Sequence, residues 1–306
     1  MNQTSILTPR ANQKYVTISP IVGGSITLPE RFFVDPADSN ARHTVPSLSF
    51  FITHPDCKGK RLRLMFDLGL RSSITAYTKP QQRHLSNRLP YVLGPGVAET
   101  LEAGGTHPSS IDLVILSHVH YDHHGDPEYF PNAQFIVGPG TKSLLEHGLS
   151  TTASHQNFTP DLLPPDRTTE LPAIEKVGVE GEKSWQSLGN LHAIDLFDDG
   201  SVFVLNSPGH LSGHINLLCR TGPGKWVCLC GDSYHDRRLL TGERDIATWK
   251  DVNGISCCIH ADVTAAREFL CNLRELADGL GNVELVSAHD AHWCQENQHR
   301  FSPKTL

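Results

Sequence analysis

Long apolar runs are missing from the sequence. No stretch approaches the ~20 residues that a membrane-spanning helix needs, and residues 1–30 show no basic start followed by an apolar run, so neither a membrane partner nor export is expected. Basic clusters are also missing. Lys and Arg number 26 against 33 Asp and Glu, a net charge of −7, and such a balance repels a phosphate backbone, so nucleic acid is not an expected partner. The eight cysteines show no C-x-x-C spacing, and several lie in apolar segments, so they read as free thiols of a reducing, cytoplasmic compartment. There is no G-x-S-x-G elbow to present a serine nucleophile, and no short-period repeat of the solenoid kind.

What remains is a chain of 306 residues, 38% apolar and 19% charged, which is enough to bury a sizeable core and reads as a single domain over residues 1–306. Apolar runs at 15–22 and 48–53 and an alternating segment at 61–66 predict three strands of one sheet. A polar stretch at 71–94 then leads to a helix at 97–103, stopped by Gly104-Gly105. The continuous apolar run 111–116 suits a strand buried on both faces, and strand 134–137 and helix 141–147 follow it. Residues 150–189, with four prolines and little periodicity, read as an irregular excursion over the site. The strand rhythm resumes at 191–196, 202–205, 215–219 and 226–230, before a helix at 261–277 and a last strand at 283–287. Strand-rich halves that each end in helix suggest two sheets packed face to face with helices outside.

Histidine is the residue in excess, with 18 in the chain. Four of them fall between His118 and His124, directly after a buried strand. In His118-Val119-His120-Tyr121-Asp122-His123, alternate residues of an extended segment share a face, so His118 and His120 can reach one cation. Asp122 and His123 can reach a second as the chain turns. Three further candidates stand at or just after strands: His210 in Ser207-Pro208-Gly209-His210, Asp232 in Cys230-Gly231-Asp232, and His289 in Ser287-Ala288-His289-Asp290. Two adjacent cations need roughly three protein ligands each and a shared bridge, and these residues make up that number.

From Asp67-Leu68-Gly69 through the histidine string, Ser207-Pro208-Gly209-His210, Asp232 and His289, the sequence resembles the metallo-β-lactamase fold superfamily. The resemblance implies a four-layer αββα sandwich, an α/β fold of two mixed β-sheets flanked by helices. It also implies two divalent metal ions per chain, zinc before iron, manganese or cobalt. His118, His120 and His210 would hold one ion, Asp122, His123 and His289 the other, and Asp232 would bridge both. Asp67 would orient a ligand from behind. His124 stays outside the ligand set, and His214 supports the fold.

Within the superfamily the nearest likeness is to quorum-quenching lactonases and related fungal lactone and lactam hydrolases. The activity implied is the opening of a small cyclic ester, lactam or carbamate by a hydroxide that two cations activate, with Asp122 as proton shuttle as well as ligand. In the bacterial lactonases a tyrosine three residues after the bridging aspartate polarises the substrate carbonyl. Here that place is held by His235, with Tyr234 one residue earlier, and the sequence leaves open which of the two acts. Trp185, Phe158 and Leu162 in the excursion read as core packing ahead of an apolar pocket lining. The alternatives are a glyoxalase-type thioesterase, which would want a basic cluster that residues 278–293 do not offer, and a non-catalytic metal-binding protein, which would have lost ligands. The expected partner is a small-molecule substrate; oligomeric state is not legible.

Overall fold

The computed structural model describes residues 5–55, 61–149, 157–175 and 183–302. The first sheet follows the chain: β1 (Thr17–Pro29), β2 (Arg42–Pro55), β3 (Arg61–Phe66), β4 (Leu113–Ile115), β5 (Gln134–Val137) and β6 (Thr168–Glu170) lie side by side in that order. The first three strands are antiparallel, and β3 to β6 run parallel. The second sheet holds β7 (Gln186–Leu188), β8 (Leu191–Asp195), β9 (Val202–Asn206), β10 (Ile215–Gly222), β11 (Lys225–Leu229) and β12 (Val283–Val286). Strands β7 to β11 form an antiparallel meander, and β12 returns parallel to β11.

Alternation along the strands decides how the layers stack. In β3, Leu64 and Phe66 join the core between the sheets while Met65 faces the opposite way; in β9, Val202 and Val204 point inward while Phe203 and Leu205 point outward. The outward faces need cover. Helices α2 (Val97–Ala103) and α3 (Thr141–His147) cover the first sheet with Val97, Leu101, Leu144 and Leu145. Helix α4 (Val263–Leu280) covers the second with Ala266, Phe269, Leu270 and Leu273, a three-and-four spacing that keeps one face apolar. Asp262 starts α4 by accepting the backbone N–H groups of Thr264 and Ala265. The result is the expected αββα sandwich of two mixed sheets.

Several local expectations change. The first strand is expected over 15–22, yet β1 passes through Gly23-Gly24 by a register shift between Val22 and Ser25 and reaches Pro29. Gly24, at φ 106°, supplies the left-handed residue that lets the ladder resume. The polar 71–94 stretch contains a helix, α1 (Lys79–Ser86), started by a capping box of Thr78 and Gln81. The 150–189 excursion contributes an edge strand to each sheet, β6 and β7, which at three residues apiece are too short to show a period; residues 150–156 and 176–182 lie outside the described residues. Leu162 and Trp185 pack into the cores, in line with the core-packing reading of these residues. The seven described cysteines are free, and Cys57 lies outside the described residues. No described helix is long and apolar enough to cross a membrane.

Strand ends position the chemistry. Asp67 follows β3, Ser117 to His123 follow β4, His210 follows β9, Asp232 follows β11 and His289 follows β12. Loops from both sheets therefore meet over one end of the sandwich.

Candidate metal centre

All seven sequence-predicted ligand residues are buried and come together in two groups. In the first, His120 Nδ1 lies 2.9 Å from His118 Nε2 and 3.1 Å from His210 Nε2. Ring nitrogens bound to a tetrahedral cation at about 2.0–2.1 Å stand about 3.3 Å apart, so these three converge as a shared ion would place them. The second group joins Asp122, His123 and His289. His289 Nε2 is 3.6 Å from Asp122 Oδ2, and His123 Nε2 is 4.0 Å from Asp122 Oδ1.

Asp232 stands between the groups and divides its oxygens between them. Oδ2 lies 3.4 Å from His210 Nε2 and 3.8 Å from His118 Nε2. Oδ1 lies 3.1 Å from His123 Nε2 and 3.3 Å from His289 Nε2. Oδ1 and His123 Nε2 have no hydrogen-bond partner among the described residues. Buried polar atoms left so are costly, and a cation on that side would satisfy both. The donor set of imidazole nitrogens and carboxylates, facing inward in two groups, fits divalent ions of the zinc class.

The backs of the rings explain why the fronts point inward. Asp67 accepts the backbone N–H and hydroxyl of Ser117 at 2.6 and 2.7 Å, and its Oδ2 lies 2.9 Å from His123 Nδ1. The Ser117 oxygen is in turn 3.0 Å from His118 Nδ1, and the Pro46 carbonyl is 2.8 Å from His289 Nδ1. Each contact selects the tautomer that carries its proton on Nδ1 and keeps the Nε2 lone pair for the centre. His214 holds the backbone: it donates from Nδ1 to the Ser207 carbonyl at 3.1 Å and accepts the Asp232 N–H on Nε2 at 3.0 Å. Gly231, at φ 47°, makes the turn that allows this approach, since a Cβ there would stand 2.8 Å from both His214 Nε2 and Ser117 Cβ.

Electrostatics separate the two groups. Burial pushes the pKa values of His118 and His210 well below the ordinary imidazole value and that of His120 to about 3, so this triad is neutral and ready to ligate. Burial opposes protonation of His123 too, but Asp232 and Asp67 outweigh it and hold its pKa well above the usual value. Against its own burial, Asp232 is kept well below the ordinary carboxylate range by His123, His289 and His235.

The other sequence candidates separate cleanly. His124 is buried but turns away, with Nδ1 2.9 Å from the Gly125 carbonyl, and belongs to neither group. Tyr234, one of the two carbonyl-polarising candidates, lies in the hydrophobic core with its hydroxyl unpaired among the described residues, and it does not line the cavity at the centre. Its neighbour His235 does, with Nε2 2.9 Å from Asp232 Oδ2. Phe158 stacks on the His120 ring, centroids 6.0 Å apart and planes at 12°.

Two residues were missed by sequence reasoning. His260 is buried with both ring nitrogens unpaired among the described residues, and a nitrogen of it lies within 4.8 Å of nitrogens of His210 and His235. Arg88, also buried, lines the same cavity as the ligands. Neither belongs to a motif, and both sit in segments without periodicity.

That cavity is lined, beside the ligand cluster, by Ile26, Leu28, Phe33 and Ile259. Leu28, Phe33, His235 and His289 are shared with an adjoining cleft that continues to the surface past His43, Arg237 and His292.

Comparison with known proteins follows the same lines. No family model matches the chain. It is 30% identical over 289 residues to the cytochrome P450 monooxygenase mpaDE of Penicillium roqueforti, covering 86% of this chain and 32% of that protein. It is 32% identical over 221 residues to the γ-lactamase FDB1 of Fusarium pseudograminearum, covering 68% of this chain and 50% of that protein. The chain thus spans about a third of the length of the first relative and half of the second. Among solved structures, a quorum-quenching N-acyl homoserine lactone lactonase superposes with a TM-score of 0.68 at 16% identity, over 96% of this chain and 100% of that one. AidC, a dizinc quorum-quenching lactonase, superposes with a TM-score of 0.57 at 13% identity, over 91% of this chain and 88% of that one. With two six-stranded mixed sheets between helices, the chain has the αββα sandwich of the metallo-β-lactamase fold, and it brings histidine and aspartate clusters to the strand ends.

Proposed function

We propose that the chain is a dinuclear metal-dependent hydrolase that opens a small cyclic ester, lactam or carbamate. The observation that carries this reading is the division of Asp232: one oxygen faces His118 and His210, the other His123 and His289. A carboxylate serving a single ion has no need of two ligand groups on opposite sides. On this reading His118, His120 and His210 hold one ion, Asp122, His123 and His289 the other, and Asp232 bridges. Two divalent cations, zinc first, supply a Lewis acid for a carbonyl and a water that ionises near neutral pH.

The protein's own groups do the rest. Asp67, Ser117 and the Pro46 carbonyl hold the rings in place. Asp122 is both ligand and proton carrier, its carboxylate open to the cavity. His235 is the side chain placed to donate to a substrate carbonyl, since it borders both the inner cavity and the outer cleft. The names of the γ-lactamase and lactonase relatives support the same substrate class.

The test is a turnover screen of the purified protein against five-membered lactones, γ-lactams, cyclic carbamates, a glutathione thioester and phosphodiesters, with metal analysis on the same sample. Ring substrates are expected to lead. A preference for the thioester would establish the glyoxalase-type alternative, and a fully metallated protein that turns over nothing would point to the non-catalytic one.

A further inference from the structure

The inner cavity contains a cation without a counter-ion among the described residues. Arg88 is 8% exposed and follows α1, where its backbone carbonyl accepts the N–H of Thr27 at 3.0 Å and so ties it to β1. Its guanidinium bonds the Tyr121 hydroxyl, and its Nε has no partner among the described residues. No described carboxylate forms an ion pair with it. Burial, with Arg88 beside it, pushes the pKa of the neighbouring His84 down to about 4, so that ring does not share the charge and cannot offset it. Charged residues are almost never fully buried unless paired, and removing a lone guanidinium from water is expensive. The cavity that it lines also has four apolar residues and members of the ligand cluster in its lining.

We infer that Arg88 is a specificity-determining residue that binds a carboxylate carried on the substrate ring, so that the preferred substrate is an anionic lactone, lactam or cyclic carbamate. This rests on the proposed ring-opening activity. The two carboxylates at the cavity wall, Asp122 and Asp232, are both committed to the ligand groups and do not compensate Arg88. A planar guanidinium in the lining of the cavity matches a carboxylate in charge and geometry. The ring would lie between Arg88 and the metal centre, against Ile26, Leu28, Phe33 and Ile259. Tyr121, in the middle of the histidine string, keeps the guanidinium at a fixed place relative to the ligands on either side of it.

The experiment uses a set of phthalides carrying one carboxylate at each open ring position, each beside its neutral carboxamide, with wild type, Arg88→Gln and Arg88→Lys. Wild type is expected to favour the best carboxylate over its carboxamide by about 10- to 100-fold in kcat/KM, the worth of a charge-assisted contact. Arg88→Gln should remove that preference, lowering kcat/KM for the carboxylate about 10- to 100-fold more than for the carboxamide; Arg88→Lys should keep part of it. No preference in wild type overturns the inference without any variant, which covers the case in which Arg88→Gln does not fold. A preference that survives in a folded Arg88→Gln protein also overturns it, because the carboxylate then binds elsewhere.

Binding of 1-indanone carboxylate and carboxamide, which keep the ring and carbonyl but have no bond to hydrolyse, separates this inference from the proposed activity. Preferential binding of the carboxylate that depends on Arg88, in a protein that opens no ring, would sustain the anion site and defeat the hydrolase reading. Turnover of neutral rings with equal binding of the two indanones would do the reverse.

Discussion

Asp67 Oδ2 lies 2.9 Å from His123 Nδ1, and the same carboxylate receives both the backbone N–H and the hydroxyl of Ser117. One aspartate at φ 59° thereby fixes the ring of a ligand and the start of the loop that carries three others. Asp67→Asn keeps the shape but replaces one acceptor oxygen by a donor, so the His123 ring loses the partner that sets its tautomer. Metal affinity on the His123 side should fall about 10–100-fold, read by chelator competition, with the His118 side little changed.

Asp232→Ala removes the one carboxylate that faces both groups. Metal content should drop toward one ion per chain and hydrolysis should be abolished. His124→Ala, with its ring turned toward the Gly125 carbonyl, should leave metal content near wild type. Elemental analysis of the two variants side by side reads the contrast, and equal losses would mean that the ligand assignment is wrong.

Tyr234→Phe should leave kcat unchanged. Its hydroxyl is buried without a partner among the described residues, so deleting it should hold stability or raise it by about 1 kcal/mol. His235→Gln should lower kcat roughly 10–10³-fold on the best ring substrate while leaving metal content near that of wild type. Steady-state kinetics and thermal melts on both variants decide between them, and the opposite pattern would return the donor role to Tyr234.

Gly231→Ala would force a left-handed backbone on a residue with a side chain and drive its Cβ against Ser117 and His214. Strain of about 1–3 kcal/mol is expected from the backbone alone. Chemical denaturation should show at least that loss, and second-ion affinity should fall with it because His214 holds the Asp232 N–H.

The parts of this site that were legible in the sequence share one property: the chemistry is dense along the chain. Four ligand-type residues in six, directly after a buried strand, leave little room for another account. His210, Asp232 and His289 are each ordinary alone, and only their repeated position at a strand end drew them together. Asp67 was legible only through the resemblance to the metallo-β-lactamase fold superfamily. The choice between Tyr234 and His235 was not, because neighbours in an extended segment point to opposite sides and only the packed sheet says which side is cavity. Arg88 and His260 were invisible because the residues beside them, Thr27 and Tyr121 for Arg88 and His210 and His235 for His260, lie far away in the chain. Likewise the first expected strand ended too soon, since a bulge and a stop have the same local composition.

The central claim is that two ions together open a ring. Its most direct test is to titrate metal-free protein with zinc from zero to three equivalents while following hydrolysis of the best five-membered lactone or lactam. The expected rate climbs through the first equivalent and reaches its plateau at two. A plateau at one equivalent would contradict the dinuclear centre, and no turnover at any loading would contradict the hydrolase.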